Sequence, residues 1–287
     1  SKQLGSDILN ALGIPKAELW YRRLKPFLSR ATDNFSRIAL IFDKLITESD
    51  ISHAAAWSIS NWCKDILARG CENIPRQGPL LIVSNHPGAY DALVIASCLP
   101  RPDLHLVVSD LPFLRYLENL SQRICFIPMS KTDINNRMIG MLSAIRHLKK
   151  GEAVLLMGSG TIEPDPAVAP GALQYINRWT DAVNLFLRSV PETQVVLSAI
   201  SHILTPNWAR HPLTWFQKGG LQKRRLAEFG QILQQLFFPG SLYVSPRVSF
   251  TPAALLHDVD SSARDILCEQ ESSLLIDHCY EFGGNPF

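Results

Sequence analysis

With 287 residues, 46% of them hydrophobic and 19% charged, the chain can build a large folded core and is too apolar for disorder. A net charge of +2 and a pI near 8.2 are too mild to imply nucleic acid, and no nucleic-acid-binding motif occurs. The uncharged stretches 193–209 and 229–246 carry Gln, Ser, Asn, Gly and Pro, too polar for a membrane span, and the first residues hold no apolar signal core.

Residues 1–76 read as a helical N-terminal subdomain. Apolar residues recur at three-to-four spacing over 7–12, 17–28, 35–46 and 51–69, up to a stop at Gly70. A turn-rich link, 75–79, leads into a second region, 77–287. There short apolar runs at 80–84, 104–108, 124–128, 153–157, 194–200 and 242–250 predict strands. Helical patterns lie between most of them, at 91–99, 112–122, 133–150, 171–189 and 220–238. Alternation on this scale predicts an α/β fold: a mixed, mainly parallel central sheet with helices on both faces, preceded by the helical layer. In 133–150, Asp133 is placed to cap, and Ile134, Met138, Met141, Leu142, Ile145 and Leu148 share a face.

Cys63, Cys71, Cys98, Cys125, Cys268 and Cys279 form no Cys-x-x-Cys pair and no metal-ligand spacing with histidine. They read as small core residues in a reducing, cytoplasmic setting, and neither a metal nor another cofactor is expected.

Chemistry in such sheets gathers beyond the carboxyl ends of the strands. Two loops there draw notice: 84–90 after the first strand of the sheet region, and Gly158-Ser159-Gly160-Thr161 after 153–157. In the first, His86 precedes a Pro87-Gly88 turn, and Asp91 opens the next helix. A bend there brings imidazole and carboxylate together. Asp91 can then hold one ring nitrogen and leave the other as a base; the plainer alternative is a structural His-Asp pair with Asp91 as a helix cap. The spacing alone is weak, since His105 and Asp110 repeat it inside a strand-like alternation. Gly-x-Ser-x-Gly is absent, as are a third glycine near Gly160 and a P-loop lysine. A base without a protein nucleophile points to a nucleophile supplied by the substrate, a hydroxyl.

Asn85-His86-Pro87-Gly88-Ala89-Tyr90-Asp91 resembles the Asn-His-x-x-x-x-Asp block of the glycerolipid acyltransferases, the glycerol-3-phosphate and lysophosphatidate acyltransferase superfamily. Phe126-Ile127-Pro128-Met129-Ser130-Lys131, Met157-Gly158-Ser159-Gly160-Thr161 and 195–200 are similar to its later blocks in order and interval, over about residues 76–210. The resemblance implies acyl transfer from acyl-CoA or an acyl carrier protein to a hydroxyl of a glycerol-phosphate, lysophospholipid or related lipid. His86 would be the general base, with Asp91 orienting it. Asn85, Lys131, Ser159, Gly160 and Thr161 fall at substrate-binding positions. Backbone N–H groups near Pro87-Gly88 or Gly160-Thr161 would hold the oxyanion.

The pattern also departs from the family. Ser159 replaces its glutamate, Ile162 its arginine after Gly-Thr, and Lys131 its second-block arginine, losing the bidentate fork that suits phosphate. Two other readings therefore stand beside acyl transfer: an acyl-thioester hydrolase and an inactive lipid-binding relative. Trp208, Trp215 and Phe216 near Lys218, Lys223, Arg224 and Arg225 suggest peripheral contact with an anionic membrane. Leu221, Phe229, Ile232, Leu233, Leu236 and Phe237 recur at helical spacing in the same region.

Overall fold

The computed structural model describes residues 17–130, 132–217, 219–256 and 263–287, and the backbone alone for 17–29. The predicted helix at 7–12 and the candidate Lys131 lie outside the described residues. Helix α1 (Ala17–Glu48) runs through both of the next predicted segments as one 32-residue helix. Helix α2 (Ile51–Ile59) follows, capped by Asp50, whose side chain accepts from His53 N at 2.9 Å.

The helix predicted over 51–69 stops at Ile59. Asp65 turns the chain with a φ of 50°, and β1 (Leu67–Arg69) joins the sheet. The other strands are β2 (Leu80–Ser84), β3 (Leu104–Ser109), β4 (Ile124–Ile127), β5 (Ala153–Met157), β6 (Gln194–Ser201), β7 (Arg247–Phe250) and β8 (Ala254–Leu255). Their order is β1-β7-β6-β2-β5-β3-β4, with β8 on β6. The run from β6 to β4 is parallel, and β7 and β8 lie antiparallel to β6. The sheet is thus mixed and mainly parallel, as the alternation predicts. The last main strand is shorter than expected. Pro246 cannot donate to a ladder, and before it only Val244 bridges to Cys63.

Helix α3 (Asp91–Cys98) follows β2, and the predicted 112–122 helix breaks into a 3₁₀ turn, Pro112–Tyr116, and α4 (Glu118–Ser121). Helix α5 (Ile134–Lys149) is capped by Asp133, but its apolar face is buried only in the second half, at Ala144, Ile145 and Leu148. Ile134, Met138 and Leu142 stand exposed. The 171–189 pattern splits into α6 (Ala172–Ile176) and α7 (Ala182–Ser189). Arg264 binds the carbonyls of Asn177 and Trp179 between them and holds the break. Helix α8 (Pro206–Ala209), a 3₁₀ turn at Pro212–Phe216 and α9 (Gly220–Phe237) follow β6, and α10 (Ala263–Phe282) closes the chain.

One apolar cluster joins the N-terminal helices to the sheet: Phe42, Ile46, Ile51 and Ala54 pack with Leu80, Ile82, Val94 and Val196. The opposite face buries Leu81, Val83, Val154 and Leu197 with Phe186, Trp179 and Leu275. β2 has both faces covered and all five residues buried, the reason its sequence is aliphatic without alternation. Its carboxyl end, between those of β5 and β6, presents the loop carrying His86.

Candidate active site

Three loops meet at this edge. Gly158 N donates to Ser84 O at 2.9 Å and Glu163 N to His86 O at 2.7 Å, binding the β5 loop to the β2 loop. Asp165, buried, receives the N–H groups of His202, Ile203 and Leu204 at 3.1, 2.7 and 2.9 Å, drawing in the β6 loop. Gly158 lies flat on the Trp179 ring, so any Cβ there would fall inside the indole.

The turn at Pro87-Gly88 brings His86 and Asp91 together. His86 Nδ1 lies 2.7 Å from Asp91 Oδ2, which also accepts Gly88 N at 3.1 Å. Asp91 Oδ1 accepts Ala92 N at 2.6 Å. Asp91 therefore holds the imidazole while its other oxygen takes the first-turn N–H of Ala92; the N-cap position itself falls to Tyr90, which makes no side-chain cap bond, so the reading of Asp91 as a plain helix cap does not hold. Asp91 is 1% exposed, whereas the His86 side chain is 24% exposed. Burial presses the imidazole toward neutrality, but Asp91 first, then Glu228 and Glu163, outweigh it and lift its pKa to about 9. Burial in turn raises Glu228 to about 8 and Glu163 to about 7.

The remaining sequence candidates occupy different roles. Asn85 is fully buried; its amide donates to Ile200 O at 2.9 Å and accepts from Ile200 N at 2.8 Å, tying β2 to β6. Ser159 Oγ donates to Thr161 O at 2.9 Å and accepts from Thr161 N at 3.3 Å, with Gly160 between them at φ 62°. That is a self-contained turn at the mouth of the site, and Gly160 is exposed there. The N–H groups expected to hold an oxyanion are engaged within the protein: Gly88 N on Asp91, Gly160 N on Met157 O, and Thr161 N on Ser159.

Glu228 escaped the sequence reading. It sits on α9, whose buried residues are Ala227, Glu228, Gln231, Gln235 and Leu236, a stripe that is largely polar. Gln231 donates to Tyr90 Oη and to Ile203 O at 2.6 and 2.8 Å, and Tyr90 Oη donates to Gln235 at 3.0 Å. Helix α9 is thereby hydrogen-bonded beneath the His86 loop. The available signal was Glu228-Gln231-Gln235 at helical spacing, which a search for apolar periodicity passes over.

Of the aromatics proposed for a membrane, Trp208 is packed on α9 against Gly230, with its Nε1 donating to Gln234 at 2.7 Å. Trp215 and Phe216 are exposed, at 72% and 83%. No helix among the described residues is long and apolar enough to cross a membrane. Away from the site, at the amino edge of the sheet, His105 stacks on His147, and both approach Glu152 Oε2, at 3.3 and 2.6 Å. Their ligand atoms could hold a metal ion, although the carboxylate now bridges the two rings. His105 is a buried strand residue, as its alternation implies.

Residues 65–196 match the family model described as Acyltransferase. No curated protein matches the chain by sequence. Among solved structures, the fold is similar to the crystal structure of the 1-acyl-sn-glycerophosphate (LPA) acyltransferase PlsC from Thermotoga maritima. The identity is 12%, the match covers 90% of this chain and 93% of that one, and the TM-score is 0.51.

Proposed function

We propose that the chain, whose residues 65–196 match the Acyltransferase family model and whose fold is similar to that of PlsC, moves a fatty acyl group from a thioester of coenzyme A or acyl carrier protein to a hydroxyl of a glycerol-phosphate, lysophospholipid or related lipid, with His86 as general base. The observation that carries this reading is the His86–Asp91 pair at the carboxyl end of the central strand. Nδ1 is engaged by Asp91 at 2.7 Å, the ring is part-exposed, and Nε2 is the nitrogen left for a substrate proton.

In this mechanism the acceptor oxygen attacks the thioester carbonyl while its proton passes to His86 Nε2. The C–S bond then breaks, and the leaving thiolate takes that proton. Asp91, Glu228 and Glu163 stabilise the imidazolium formed between the two steps. A positioned imidazole contributes about 10²–10⁴-fold, and alignment of the two substrates supplies much of the rest. Ser159, Gly160 and Thr161 at the mouth remain proposed substrate contacts, and Lys131 remains one on the resemblance alone. Exposed Trp215 and Phe216, with Arg225 and Lys223 close in sequence, support peripheral contact with an anionic lipid surface.

The test is thiol release from acyl-CoA and acyl carrier protein substrates, with and without glycerol 3-phosphate, lysophosphatidate or lysophospholipid. Release that needs the acceptor and is lost in His86→Ala supports the reading. Equal release without acceptor would establish a hydrolase instead. Acceptor-dependent release that survives His86→Ala would overturn the assignment of the base.

A further inference from the structure

Two atoms of opposite charge on one face of α9 are buried without a hydrogen-bond partner among the described residues: Glu228 Oε1 and Arg224 Nε. They lie one helical turn apart, yet the two side chains make no ion pair with each other among those residues. Each points to the β2–β5 edge. Glu228 is 6% exposed, and its Oε1 would stand 3.8 Å from a Cβ on Gly88, two residues from His86. Arg224 Nη2 donates to Tyr175 Oη on α6 at 2.7 Å and to Ile162 O in the β5 loop at 3.4 Å. Its guanidinium lies 4.9 Å from the Tyr175 ring centre. Ile162 precedes Glu163, whose N–H binds the His86 carbonyl, so the guanidinium sits beside the catalytic loop.

A buried carboxylate oxygen and a buried guanidinium N–H are each costly to leave unmatched. The two sense each other's charge, but neither of these atoms is hydrogen-bonded, and both side chains reach toward the site. The natural complement is a ligand that offers a donor to one and an anion to the other. We propose that Glu228 and Arg224 form a two-point reader of the acyl acceptor, selecting a head that carries an anionic group and a second hydrogen-bond donor, hydroxyl or ammonium. The inference deepens the acyl-transfer reading and rests on it for the word acceptor. It also places a guanidinium at the carbonyl of Ile162, the residue that stands where the resemblance expects an arginine. The free site carries the cost in its titration: burial holds the Glu228 carboxyl near 8, and an arriving donor would bring it down.

Equilibrium binding by calorimetry, with no thioester present, separates this idea from catalysis. The probes are glycerol 3-phosphate, with anion and donors; inorganic sulfate, anion only; and glycerol, donors only. Micellar lysophosphatidylethanolamine and lysophosphatidate form the lipid arm and show whether a free or a lipid-borne head is read. Wild type should bind glycerol 3-phosphate or lysophosphatidylethanolamine at least about tenfold more tightly than the single-function probes and lysophosphatidate. Glu228→Gln should cost about 10–100-fold for the two-function probes, the size of one hydrogen bond to a charged group, and leave sulfate binding within about twofold. Arg224→Met should weaken sulfate and two-function probes alike. Retained sulfate binding shows that Glu228→Gln is folded. Variants that bind every probe like wild type, or a wild type that binds none, would overturn the inference. Selective binding without acyl transfer would leave the reader standing and remove the catalytic reading.

Discussion

Replacing Glu228 with glutamine keeps the shape of a side chain that is 6% exposed and removes its charge. Burial moves the Glu228 carboxyl from 4.5 in the open chain to about 8 in the fold. A folded-state value above the unfolded one gives stability that is full below pH 4.5 and is lost as the pH climbs through about 8. At 1.36 kcal/mol per unit the whole loss is about 5 kcal/mol, and about 3 kcal/mol of it falls between pH 5.5 and 8.5. His86 acts in the same direction, from 6.5 to about 9, and part of its rise comes from Glu228. His105 and His278, which burial lowers to about 4, lose stability on the acid side, but they are common to both proteins and cancel in the difference. Urea unfolding at several pH values should therefore show wild type losing stability toward pH 8.5 faster than Glu228→Gln. The gap between the two should widen by about 3 kcal/mol. Curves that stay parallel to within about 1 kcal/mol would refute the reasoning, because Glu228 would then be solvated or paired in the fold.

Four further outcomes follow from the geometry. With His86 held near 9, kcat/KM for acyl transfer should rise with pH and level off near that value, because the base works only when neutral. Asp91→Asn should move that limb to lower pH and reduce the plateau about 10²–10⁴-fold; an unchanged profile would mean that Asp91 only anchors the turn. Trp215→Ala with Phe216→Ala should weaken co-sedimentation with anionic liposomes and leave the melting temperature alone, since both rings are exposed. Asn85→Ala should cost about 2–4 kcal/mol in urea unfolding, because it leaves Ile200 N–H and C=O unpaired in a dry strand end.

The parallel strands were legible because each is a short aliphatic run between turn residues, and covering both faces of a sheet leaves that mark on the chain. The His86–Asp91 pair was legible for a related reason: strand, tight turn and helix start are all local, and five residues suffice to close the 2.7 Å contact. Helix α10 was not read at all. Its buried positions include Glu271 and His278 beside Leu267 and Leu275, so the apolar period is broken by polar groups on the core side. The same blurring hid the polar stripe of α9. β1 was read as helix because its three residues are a strand only by virtue of pairing with β7, about 180 residues later.

By itself, the amino-acid order determined the α/β alternation, the loop that carries the histidine and the carboxylate that holds it, since these depend on neighbours along the chain. Tertiary structure alone decided that Asn85 ties β2 to β6, that Trp208 seals α9 while Trp215 and Phe216 stay outside, and that α9 brings Glu228 to the His86 loop and Arg224 to the β5 loop. Those placements depend on which surfaces meet when the sheet and its helices pack, and no local periodicity records that meeting.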